Sequence, residues 1–86
     1  MATIEERIKK VTARVLKLEA KDIRLEDSFA WDLGAESVQS IELVAMFEKE
    51  FGIEMEEDAA LAVETVGGAV DFIRKVCQQQ GVEVEG

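Results

Sequence analysis

Few side chains in this sequence are equipped for chemistry, and one hydroxyl stands apart from the rest. Ser37 follows Asp32-Leu33-Gly34-Ala35-Glu36 and opens the most regular helical run of the chain. A hydroxyl placed there can receive a prosthetic group from another enzyme, and needs no activation of its own to do so. The plainer reading is a helix cap, since either Glu36 or Ser37 can accept from the free amides of a first turn. Other candidates fall away. The chain has no His and no Tyr, so the commonest general base is missing. Cys77 is the single cysteine, which excludes an internal disulfide and a multi-cysteine metal site. With no base pattern beside it, Cys77 reads as a small hydrophobe rather than a nucleophile. Gly67-Gly68 matches neither phosphate-loop pattern, and the acids lack the spacing of a calcium loop. The chain is not expected to be an enzyme.

The elements that must position Ser37 follow from apolar spacing. Ile4, Ile8, Val11, Val15 and Leu18 recur at steps of four and three, which predicts a helix over about residues 4–17. Thr3 and Glu6 have the spacing of a capping box in front of it. A polar stretch of about residues 19–36 follows, punctuated by Ile23, Leu25, Phe29, Trp31 and Leu33. So long a loop is unusual in a small domain and is often functional. Its apolar residues are expected to pin it over a helical core, with Trp31 either a core or rim residue or part of a binding surface. Gly34 is expected to supply a turn that a Cβ would resist. The second helix runs from about Ser37 to Phe51, with Gly52 past its end. Leu43, Phe47 and Phe51 share its core face. Val38, Ile41 and Ala45 lie on another side near Glu42 and Glu48, which is more apolar surface than one stripe needs. A short helical segment is expected at about 57–62, and a last helix after Thr65 as N-cap. Gly67 and Gly68 weaken that helix's first turn by roughly 1 kcal/mol each relative to Ala. They also permit close helix approach, or bare backbone near a ligand. The fold class is therefore all-α, a small antiparallel bundle of three main helices plus one short helix, with a long loop after the first. Residues 1–77 are expected to form the bundle and 78–86 a frayed C-terminal tail.

Charge is distributed unevenly. The 86 residues carry 19 acids and 10 bases, a net charge of −9. Residues 1–24 hold seven bases and four acids, whereas residues 25–58 hold eleven acids and the lone base Lys49. An acidic surface repels phosphate backbones and anionic lipids, so nucleic acid is a poor partner and a basic protein surface a good one. The start of the chain lacks the apolar run of a signal peptide, and no apolar stretch is long enough to span a membrane. The expected location is cytoplasmic, without membrane insertion, and the expected state is a monomer.

With the motif, the acidic helix and the long loop in place, the sequence resembles the acyl carrier protein family. The resemblance rests on Asp32-Leu33-Gly34-Ala35-Glu36-Ser37-Val38, followed by Ile41-Glu42-Leu43-Val44 and Phe47-Glu48-Lys49-Glu50-Phe51, and it covers nearly all of residues 4–77. It implies that Ser37 carries 4′-phosphopantetheine, transferred from coenzyme A by a holo-acyl-carrier-protein synthase or another phosphopantetheinyl transferase. It implies that the arm holds acyl intermediates as thioesters, and that the acyl chain folds into the bundle or swings into a partner's active site. The partners implied are acyl-transferring, condensing or acyl-activating enzymes with basic docking patches. Glu36, Val38, Ile41, Glu42 and Glu48 are the implied docking residues, with Glu50 a further candidate. The pathways implied are fatty-acid, modified-lipid or secondary-metabolite synthesis.

The sequence also departs from the family pattern. Glu36 replaces the usual Asp and Val38 the usual Leu. Trp31 stands where a small acidic or polar residue is usual, and Met55-Glu56 where an Ile-Pro pair is common. Gly67-Gly68 opens the last helix where bulkier residues are typical. These departures lean toward a specialised carrier over a housekeeping one. Peptidyl carriers usually have an uncharged residue before the serine, which Glu36 contradicts, and D-alanyl carriers remain open. The rival class is a small acidic helical interaction module that kept the shape and lost the arm.

Overall fold

The computed structural model describes residues 2–85. It contains α1 (Ile4–Leu16), a 3₁₀ turn at Ala20–Asp22, α2 (Ser37–Phe51), α3 (Glu57–Leu61) and α4 (Val66–Gln80). The described residues form no strand beyond one isolated bridge between Ser28 and Thr65. The expected all-α bundle is the observed one, with the long loop where the polar stretch placed it.

Helix starts follow the local chemistry. Thr3 Oγ1 accepts from the Glu6 amide at 3.2 Å, and Glu6 Oε1 accepts from the Thr3 amide at 2.9 Å. The Thr3 donors hold the Glu6 carboxyl below the usual glutamate range, because they favour its charged form. The α1 stripe ends earlier than its spacing suggests: Lys17 turns left-handed at φ 58°, and Leu18 lies exposed. At α4, Thr65 Oγ1 accepts from the Gly68 amide at 3.0 Å.

The core joins one face of each long helix. Ile4, Ile8 and Val11 from α1, Leu43, Phe47 and Phe51 from α2, and Val70, Ile73 and Cys77 from α4 are all buried. Burial pushes the Cys77 thiol up, so it stays neutral and packs as the hydrophobe its context implied. Helix α1 packs on α2 and α4, and α3 packs on α2. The Arg7 guanidinium sits 4.3 Å from the Phe51 ring centroid and donates to Glu50 Oε2 at 2.8 Å and to the Glu50 carbonyl at 2.7 Å. That contact ties the end of α2 to the start of α1.

The long loop is stitched to the start of α4. The amides of Val66 and Gly67 donate to the carbonyls of Asp27 and Leu25 at 3.0 and 2.8 Å. The Phe29 amide donates to the Glu64 carbonyl at 2.9 Å. Loop carbonyls thereby satisfy donors that a helix N-terminus leaves open. A Cβ on Gly67 would stand 3.1 Å from the Leu25 carbonyl oxygen. The glycine is required by close approach of the loop, not of another helix. Ile23 and Phe29 are buried and pin the loop as expected, while Leu25 and Trp31 are exposed.

The C-terminal segment is not a frayed tail. Helix α4 continues to Gln80, and the Val82 amide returns to the Cys77 carbonyl at 2.8 Å. Val82 and Val84 are half-buried against the core, and the Ile4 amide donates to the Glu85 carbonyl at 2.8 Å. Val82-Glu83-Val84-Glu85 has no strand partner; it lies along the start of α1, where its valines find apolar cover.

Candidate functional site

The loop delivers Ser37 through a series of local bonds. Ser28 is the hub of a tight turn: its carbonyl accepts from the Asp32 and Leu33 amides, both at 3.0 Å, and its own amide donates to Asp32 Oδ2 at 2.7 Å. The Phe29 carbonyl then accepts from the Ala35 amide at 2.7 Å and closes the loop on itself. Gly34 holds φ at 73°, a conformation that side chains with a Cβ resist. Glu36 is the residue in extended conformation at the cap, with its amide donating to Gln39 Oε1 at 2.9 Å and its carbonyl accepting from Ser40 at 2.8 Å.

Capping therefore belongs to Glu36, and Ser37 is the first helical residue. Its side chain is exposed, so the hydroxyl is open to an incoming enzyme. Amides of the first turn lack partners within the helix, and the helix dipole favours an anion beside them. A phosphodiester on Ser37 Oγ would stand in that field, so the residues present fit a phosphate-linked group. Glu36 is exposed beside it and contributes a repelling charge, which an enzyme bringing a phosphate must offset with cations.

The predicted docking residues separate into two sets. Val38 and Ile41 are 76% and 49% exposed, an apolar cost that the fold itself does not require. Glu36 and Glu42 are exposed with them. Glu48 is half-buried, and its Oε2 accepts from the Met55 amide at 2.8 Å, bracing the turn after α2. Glu50 is engaged with Arg7. The structure thus brings Glu36, Ser37, Val38, Ile41 and Glu42 together at one end of α2 and gives Glu48 and Glu50 internal tasks. Carboxylate spacing on a helix could not reveal those tasks, because the partners come from other elements.

One turn beyond Ser37, Ser40 lines an apolar cavity of about 50 Å³ between α2, α3 and α4. Leu43, Phe47, Met55, Leu61 and Phe72 are among the apolar residues of its wall. Met55 and Leu61 belong to the short helix and its approach. The cavity is the feature that spacing alone missed, since its walls come from four separate segments: the long loop, α2, the region of α3, and α4.

Comparison with known proteins is consistent over most of the chain. Residues 6–73 match the family model described as "Phosphopantetheine attachment site". The acyl carrier protein of Sinorhizobium fredii is 47% identical over 75 residues, covering 87% of this chain and 96% of its own. The acyl carrier protein AcpP of Rhizobium meliloti shows the same identity and coverage. The solved structure of the acyl carrier protein from Enterococcus faecalis superposes with a TM-score of 0.67 at 35% identity, over 87% of this chain and 99% of that one. With an exposed serine opening an acidic helix and relatives matched over nearly their full length, the chain belongs to the acyl carrier protein family, whose members bear acyl groups on covalently attached 4′-phosphopantetheine.

Proposed function

We propose that Ser37 is the attachment residue and that the chain presents acyl thioesters to enzymes of fatty-acid, modified-lipid or secondary-metabolite synthesis. The observation that carries this reading is the exposed Ser37 hydroxyl at the first position of α2, directly after the Gly34 turn. In loading, Ser37 Oγ forms a bond to phosphorus of the coenzyme A pyrophosphate, and the bond from that phosphorus to the adenosine bisphosphate breaks. The hydroxyl proton leaves to a base on the transferase, because this chain offers no histidine for it. The attached arm supplies a thiol that holds an acyl group as a thioester.

The chain's own residues then do two things. The α2 terminus holds the phosphodiester charge, and the cavity beside Ser40 takes the first carbons of an acyl chain as Met55 and Leu61 give way. Glu36 and Glu42 steer basic partner surfaces, and Val38 and Ile41 make the apolar contact between them. Charges of this kind set encounter rate and selectivity more than affinity, as suits a carrier that must let go. The same reading makes the chain a cytoplasmic monomer.

The test is intact mass after incubation of the protein with coenzyme A and a broad-specificity phosphopantetheinyl transferase. One phosphopantetheinyl group should be gained by the natural sequence and none by Ser37→Ala. No gain on the natural sequence would favour the interaction module without an arm, and an equal gain on Ser37→Ala would move the attachment elsewhere. In the same assay Glu42→Lys should slow loading at low salt while leaving helix content intact. Glu48 is left in place because its carboxylate holds the Met55 amide.

A further inference from the structure

Trp31 is the single tryptophan of the chain and it is 90% exposed. An indole gains most when it is taken out of water, so one displayed this fully has not been placed for the stability of the free protein. The backbone beneath it is held. The Trp31 amide donates to Ser28 Oγ at 3.1 Å, within the turn closed by the Ser28–Asp32 bonds. The ring is therefore offered from a backbone that is already fixed, so binding it need order only the side chain.

Its surroundings define what fits. Asp32 is adjacent in the turn, and Glu26, Asp32 and Glu36 are all exposed on the same loop. A flat apolar ring on a loop that also carries exposed carboxylates matches a guanidinium, which stacks by its face and pairs with a carboxylate through its edge. A lysine ammonium satisfies the charge but not the plane.

Position selects the enzyme. The Phe29–Ala35 bond brings the two halves of the loop together, with Trp31 two residues from one end and Ser37 two residues from the other. Chain reach then keeps Trp31 within about 20 Å of Ser37. Enzymes that use the arm's thiol work at its far end. The transferase must close its active site on Ser37 Oγ itself, and a footprint of about 800 Å² around that atom takes in the part of the loop that leads into it.

We propose that Trp31 is a docking contact for the phosphopantetheinyl transferase, received by a transferase arginine that stacks on the indole and pairs with Asp32 or Glu36. The proposal rests on Ser37 as the attachment residue. Two measurements test it. In the first, loading kinetics by intact mass are compared for the natural sequence, Trp31→Phe and Trp31→Ala. Trp31→Ala should lower kcat/KM roughly 3- to 30-fold through KM, with kcat retained, and Trp31→Phe should recover part of the loss. In the second, the otherwise natural chain labelled with 5-fluorotryptophan is titrated with the transferase in the absence of coenzyme A. Its single fluorine resonance should shift and saturate as the complex forms, a readout that survives if Trp31→Ala fails to fold. A resonance unchanged in the saturated complex overturns the proposal, as does a folded Trp31→Ala that loads at the natural rate. Either result alongside normal loading of the natural sequence refutes the Trp31 contact alone. Absence of any loading refutes the attachment reading and this proposal with it.

Discussion

Thr12 carries its hydroxyl into the core on the inner face of α1, where it is fully buried. Its Oγ1 has no hydrogen-bond partner among the described residues. A buried hydroxyl left unpaired costs about 1–3 kcal/mol, whereas a valine of the same shape has nothing to satisfy. Thr12→Val should therefore stabilise the fold by about 1 kcal/mol, read as a higher urea midpoint at unchanged slope. A lower midpoint would mean that the hydroxyl is bonded in solution. Residues differ in how far such roles can be read from sequence. Ser37 could be singled out as the proposed attachment residue because its type, the Gly34 turn and the helix start lie within a few positions of one another. The competing cap role was not separable there, since Glu36 and Ser37 are both able acceptors, and only the extended backbone at Glu36 decides it. Trp31 was harder still, because apolar character does not by itself state whether a side chain in a loop faces in or out.

Elements show the same division between local and distant causes. Both ends of α2 and the starts of α1 and α4 were legible, since caps and glycine stops are written within four residues. The stitching of the loop to α4 was not, because it joins carbonyls at Leu25 and Asp27 to amides some forty residues later. Gly67 lies at that seam, and the helix-propensity argument for it points the wrong way. Alanine is better than glycine in a helix by roughly 1 kcal/mol. Here the added Cβ would press to 3.1 Å on a backbone carbonyl that is already bonded to the Gly67 amide. Backbone cannot rotate aside as a side chain can, so Gly67→Ala should lower the melting temperature despite the better propensity. A rise would show that the loop moves freely from α4. The C-terminal segment was misread for a related reason: Val82 and Val84 alternate without a strand partner in sequence, and their cover is the far end of the chain at α1.

At the scale of the molecule, the uneven charge is the property with the widest consequences. Eleven acids and Lys49 occupy residues 25–58, which span most of the long loop, α2 and the start of α3. Two of the acids are paired with the basic first third of the chain, Glu50 with Arg7 at 2.8 Å and Asp27 with Arg24 at 3.4 Å. The first pair fastens α2 to α1 and the second lies within the loop, and together they leave most of the acidic charge facing water. Repulsion among exposed like charges opposes the compact state, and it is screened as the Debye length falls from about 30 Å at 0.01 M salt to about 10 Å at 0.1 M. The protein should thus gain thermal stability as salt is raised over that range. Millimolar Mg²⁺ or Ca²⁺ should add to the gain by associating diffusely between carboxylates, since the described residues contain no cluster suited to hold a metal ion. Glu42→Lys separates this cause from a general salt effect on apolar burial. It removes one repelling charge and adds an attracting one without touching the core, because Glu42 is exposed. The variant should melt higher than the natural sequence at low salt, and the difference should shrink as salt is added. Parallel salt curves with no difference at low salt would show that the acids are a solvated face without cost. A convergent pair would show that the fold gives up stability to keep this acidic charge on α2.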